Sequence, residues 1–221
     1  MSIAVLLFAG LLLSVDLGSR GLWGKEAASW AEARQSLRTL LDLGSDGGTG
    51  GPLYAAVLKG WLSLFGDSEA AIRSLSVVLT VATAAVVSAL GFHLRSRSVG
   101  VLAAGLFVFN GPVQKYGQNG SAAMLLTFGA SLASLALVRE LQRTSPHARR
   151  WWTGLRISLS TLLVLVHPLG VVVAICHFLA TLVLPAAQRR WPSRVRTLTS
   201  PSEQACRHGS PRCEVTPRLG S

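Results

Sequence analysis

The run from Ala70 to Leu94 holds no carboxylate and one permanently charged side chain, Arg73, near its first end. Crossing the hydrocarbon core of a bilayer takes about 20 apolar residues, so this stretch is long enough to span. Inside lipid, a single segment satisfies its own backbone amides only as a helix. Three more apolar runs follow: Val99–Val113 with Gln114–Tyr116 at the boundary, Ser121–Val138, and Leu155–Leu184. The last is long for one span and is interrupted at His167-Pro168, where proline lacks an amide proton and disturbs the preceding helix. Two short crossings meeting at that turn are expected. Ala4–Leu17 lacks the basic start and small-residue cleavage site of a secretory signal, so it is expected to remain as a first helix. The sum is an all-α integral membrane protein with about six transmembrane helices.

Composition agrees. Half of the 221 residues are hydrophobic, 14% are charged, and mean hydropathy is +0.45. A soluble domain carries roughly 25% charged residues. The net charge of +11 suggests nucleic acid only until the charges are located. Most sit in short gaps between apolar runs or in a cluster from Arg189 onward, and no basic helix with interleaved aromatics appears, so no nucleic-acid partner is expected. Cys176, Cys206 and Cys213 form neither a disulfide framework nor a ligand cluster, so no metal site is expected.

Leu53–Phe65 is apolar but short and carries Lys59. Runs of about 10–14 residues are more often interfacial, so this one is placed on the membrane surface. Six alternating crossings then put Arg95–Arg97, Arg139–Arg150 and the tail from Arg189 on the cytoplasmic side, as positive-inside bias requires. Both termini are cytoplasmic in this arrangement. Gly18–Pro52, Gly66–Ala70, Tyr116–Gly120 and the His167 turn face outward. The misfit is Gly18–Pro52, which holds Arg20, Lys25, Arg34 and Arg38. Residues 1–187 form the membrane domain, with an outer loop at 18–52 and an interfacial helix at 53–66. Residues 188–221 form a basic tail rich in Ser, Pro and Arg, expected to be disordered.

Within the outer loop, Glu26, Trp30, Ala33 and Leu37 fall at three- and four-residue steps, which suits a surface helix with Trp30 and Leu37 inward. Leu43–Pro52 is Gly-rich, but no strand precedes it and no Lys-Ser or Lys-Thr follows, so it is a linker rather than a phosphate loop.

Five segments, Ser19-Arg20-Gly21-Leu22-Trp23-Gly24-Lys25-Glu26-Ala27, Pro52 to Gly66, Glu69 to Ser76, Tyr116-Gly117-Gln118 and Val166 to Gly170, resemble in that order the motifs of polytopic type-C glycosyltransferases that use lipid-phosphate sugars, such as the protein-mannosyltransferase-like and aminoarabinose-transferase-like enzymes. Ser19-Arg20-Gly21-Leu22-Trp23-Gly24-Lys25-Glu26-Ala27 resembles their S-R-x-L-W-x-D-E-A opening. Pro52-Leu53-Tyr54, Trp61 and Leu64-Phe65-Gly66 resemble the following surface helix. Glu69 to Ser76 resembles the entry to the second span, Tyr116-Gly117-Gln118 the Y-S-Q segment, and Val166-His167-Pro168-Leu169-Gly170 the T-H-P-x-G turn. The resemblance implies sugar transfer from a polyprenyl-phosphate donor to an unidentified acceptor on the outer face of the cell membrane. The lipid-linked sugar is then a substrate, and no cofactor is needed.

The chain departs from that pattern at the reacting position, where Lys25 stands in place of the family's aspartate. Glu26 becomes the candidate catalytic base, one residue and about 100° of helix rotation away; its alternative is a solvated surface glutamate. Lys25 and His167 are candidates for binding the donor phosphate, and Tyr116 and Gln118 for hydrogen-bonding the sugar. Arg73 is expected to snorkel toward the head groups. A shortened, catalytically silent protein on the same scaffold is the alternative function. A transport pathway is disfavoured, because the spans hold few ionisable groups beyond Arg156 and His177.

Overall fold

The computed structural model describes residues 10–11, 13–14, 21, 24–36, 38–39, 50–143 and 145–190. Among them are eight helices and no strand: α1 (Gly24–Arg34), α2 (Gly51–Phe65), α3 (Glu69–Leu94), α4 (Arg97–Val108), α5 (Gly111–Gly117), α6 (Ala122–Gln142), α7 (Pro146–Val166) and α8 (Leu169–Arg190). The expected crossing Ala4–Leu17 lies mostly outside the described residues, as do Leu37, most of the Gly-rich linker and the tail beyond Arg190. By backbone contacts the chain divides after Leu179 into two units. The first contains α1–α7 and the start of α8. The described part of the second is the remainder of α8.

The longest helix, α3, starts where Ser68 caps it by accepting the Ala71 N–H at 3.1 Å, with Glu69 in the first turn. Both features favour a helix N-terminus. Its 26 residues extend about 39 Å. Among the described residues, α3 and α6 are the two helices long and apolar enough to cross a bilayer. They pack against each other, α3 also against α4, and α6 against α7. Glycines bring α3 and α4 together: a Cβ at Gly91 would lie 2.6 Å from the Gly100 Cα, and one at Gly100 would run into the Ser88 carbonyl. Small residues at such a crossing let backbones approach, as membrane helices commonly do.

The expected span Val99–Val113 is instead two helices. Twelve-residue α4 ends at Val108, and α5 begins at Gly111 with Pro112 in its first turn. Pro112 has no N–H to bond the carbonyl four residues back, which ends α4 and allows a new start. At about 18 Å, α4 alone is shorter than a ~30 Å hydrocarbon core.

The break at His167-Pro168 does occur. His167 is extended and caps α7, its N–H donating to the Leu163 carbonyl at 3.2 Å. Its Nδ1 accepts the Leu169 N–H at 3.2 Å as α8 begins.

The short apolar run is a helix, α2, starting two residues earlier than expected because Pro52 suits a first turn. Tyr54, Ala55 and Leu58 are buried on its inner side, while Leu64 and Phe65 at its end are exposed. Tyr54 and Leu58 join Ala33, Ile72, Leu75, Leu79, Ala122, Met124 and Val166 in one apolar cluster. Gly51, at φ +68°, opens α2 against the end of α7, where a Cβ would sit 2.6 Å from the Leu165 carbonyl oxygen. Glycine alone takes that conformation without strain.

Candidate functional site

The face of α1 that turns inward carries Glu26, Ser29 and Ala33. Trp30, half-buried, packs against the same apolar cluster as Ala33, so its expected inward placement is borne out. Glu26, on the same side, meets a charge on α3. Arg73 donates from Nη2 to Glu26 Oε2 at 3.0 Å and from Nε to Oε1 at 3.3 Å. Both residues are about 95% buried, Glu26 at 4% and Arg73 at 5% exposure. Arg73 therefore does not snorkel. Two parallel N–H donors on one carboxylate form a strong charge-assisted arrangement, and a buried charge persists only when so paired.

Two backbone groups complete the junction. The Gly120 N–H donates to Glu26 Oε1 at 2.9 Å, and Arg73 Nη2 donates to the Gly21 carbonyl at 3.2 Å. A Cβ at Gly120 would come 2.5 Å from Ile72 Cγ2, so glycine lets this turn approach α3. One carboxylate thus joins α1, the start of α3 and the turn between α5 and α6. Tyr54 lies beneath. Burial raises its phenol pKa above the usual value, with the charges of Glu26 and Glu32 adding to the effect. Its hydroxyl has no partner among the described residues.

Of the residues singled out from sequence, Glu26 stands at the centre of this junction and Gln118 ends α5 two residues before Gly120. His167, half-buried, follows Val166 of the same apolar cluster. Lys25 and Tyr116 are exposed, and neither contributes a hydrogen bond to the junction among the described residues. Sequence reasoning missed Arg73, Gly120 and Tyr54 as its members. An arginine inside an apolar run was the available signal, since ionisable groups at such depth pair with one another.

A second polar group flanks α1. Asp67 accepts from Trp30 Nε1 at 2.5 Å and pairs with Arg34, whose guanidinium lies 4.3 Å from the Trp30 ring. The Trp30 hydrogen bond, then that of Arg34, holds the Asp67 carboxyl below its usual range. Ala33, Arg34, Lys59, Leu62 and Asp67 line an open pocket of about 280 Å³. Farther along the bundle, Arg156 donates to Glu140 at 2.9 Å and Ser134 bonds His177 at 3.0 Å. Among the described residues no cluster of three or more His, Cys, Asp or Glu could hold a metal.

The family model for dolichyl-phosphate-mannose-protein mannosyltransferase matches residues 49–200. The chain belongs to this family. It is a membrane glycosyltransferase-like protein on that account, and the sequence resemblance is borne out at this level. The matched stretch contains α2–α8, with Arg73, Tyr116, Gln118, Gly120 and His167, and begins after Lys25 and Glu26. Neither the curated proteins nor the solved structures contain a significant match.

Proposed function

We propose that this mannosyltransferase-family protein transfers a sugar from a polyprenyl-phosphate carrier to an acceptor on the outer face of the cell membrane. The lipid-linked sugar is the substrate, and no cofactor takes part. The arrangement is six crossings with both termini cytoplasmic, α4 and α5 together making one of them. The interfacial α2 and the outer loop lie beside the donor head group, which is anionic and confined to the membrane surface.

The observation supporting this reading is the buried junction of Glu26, Arg73 and Gly120. It fastens the segment bearing Lys25 to the segment bearing Gln118, so groups suited to phosphate and to sugar are kept near one carboxylate. A donor phosphate competing for Arg73 would loosen its hold on Glu26. Losing a cationic partner raises a carboxyl pKa, which makes Glu26 a better base for the acceptor hydroxyl. Lys25 and His167 would then bind phosphate, and Tyr116 and Gln118 the sugar.

Membranes containing the full chain, supplied with polyprenyl-phosphate sugars, test this directly. Transfer is expected, with Glu26→Gln lowering it roughly 100-fold or more and Lys25→Ala retaining it but with weaker donor binding. A catalytically silent scaffold is the second reading. It is favoured by the occupation of both Glu26 oxygens and by a lysine at the family's aspartate position. Absence of turnover, persisting in Lys25→Asp, would establish the silent reading instead.

A further inference from the structure

The opposite end of the helical bundle gathers charge of one sign. Gln142 Nε2 donates to the His93 carbonyl at 2.9 Å, which ties the C-termini of α3 and α6 together. Short connections then bring the starts of α4 and α7 to the same end. Arg95, Arg97, Arg139, Arg143, Arg149 and Arg150 all lie there, with His93 beside the charges of Arg139 and Arg143. Among the described residues, one carboxylate is at hand. It is Glu140, buried and paired with Arg156. The next, Glu69, lies at the far end of α3, about 36 Å away.

Two of these guanidiniums are held by aromatic faces. Arg139 stacks 5.6 Å from the Trp152 ring, itself edge-on to Trp151 at 4.7 Å, and Arg97 lies 5.8 Å from Phe92. Stacking fixes the plane of a guanidinium and leaves its N–H edges to bind an oxyanion. Arg139 Nε is buried and has no partner among the described residues. Around the cations, Phe92, Leu94, Val99 and Trp151 are exposed. An apolar rim around a cationic centre matches an amphiphile, with its phosphate on the arginines and its chains along the rim.

We propose that this end of the bundle binds the phosphate headgroup of an anionic membrane lipid. The site is separate from the Glu26–Arg73 junction and does not depend on sugar transfer. The test uses the full chain in neutral detergent, titrated with phosphatidylglycerol, phosphatidylcholine or inorganic phosphate, with bound lipid read by native mass spectrometry. Phosphatidylglycerol is retained, phosphatidylcholine is not, and raising the salt weakens retention. At the gain usual for a cation near a charged surface, the double variant Arg139→Gln/Arg143→Gln binds about 30-fold more weakly. Arg38→Gln, on the α1 side, leaves binding unchanged. If the first pair of substitutions prevents folding, Arg149→Gln/Arg150→Gln replaces it, because both side chains are exposed and the same loss is expected. Equal retention of the two lipids, undiminished binding in the folded double variant, or displacement of the lipid by equimolar inorganic phosphate would each overturn the proposal.

Discussion

Removing one partner from the Glu26–Arg73 pair should cost more than removing both. With Glu26→Leu, the Arg73 guanidinium loses the carboxylate that accepts from both its Nη2 and its Nε, inside a site 5% exposed. With Arg73→Met, the Glu26 carboxylate keeps the Gly120 N–H but loses both charged donors. An uncompensated buried charge costs about 3–5 kcal/mol. In the double variant no charge remains, and replacing a buried pair by apolar groups is often near neutral. The Gly120 N–H is then orphaned, a penalty of about 1–3 kcal/mol. The double variant is therefore expected to lose about 1–3 kcal/mol and to be more stable than either single one. Unfolding titrations of all four proteins in mixed micelles, followed by tryptophan fluorescence, give the cycle. A coupling energy under about 0.5 kcal/mol, the limit for independent sites, would refute the account of a desolvated, mutually dependent pair.

Two further outcomes can be measured the same way. Gly100→Ala should lose roughly 1–3 kcal/mol through overpacking, because its new methyl meets the Ser88 carbonyl, whereas Gly105→Ala, with nothing within 4 Å, should lose none. The Asp67 carboxyl has its folded pKa lowered by Trp30 and Arg34 below the ordinary value of 3.8. Stabilisation from that contact is thus present above the ordinary value and lost as pH falls through the folded one. The stability difference between Asp67→Asn and the unaltered protein should hold steady between about pH 5 and 8 and vanish in acid.

The helical class was legible because membrane-length apolar runs leave the backbone few alternatives. The break at His167-Pro168 was legible for a local reason, the missing amide of a proline. The same reasoning applied to Pro112 would have split Val99–Val113, but counting apolar residues takes no account of a lost hydrogen bond. Glu26 was legible as a candidate from the residues around it. Its surroundings were not, since Arg73 and Gly120 lie 47 and 94 residues away and no spacing rule encodes such a meeting. The periodic pattern of α1 favoured Trp30 inward by hydrophobicity alone. Trp30 does pack on the core, but hydrophobicity gave no sign that the same side would also carry a buried ion pair with the neighbouring helix.

The long reach of the Glu26 bond to Gly120 bears on how the chain is made. A ribosome adds about 5–20 residues per second, so the amide that completes the carboxylate's shell emerges roughly 5–20 s after it. Arg73 appears about halfway through that interval. Until the turn before α6 is synthesised, the seat of Glu26 and its helix α1 is unfinished. The segment born early is fastened in stages, and an arrest in translation between Arg73 and Gly120 would leave it held by Asp67 and by the Arg73 guanidinium, without the Gly120 amide.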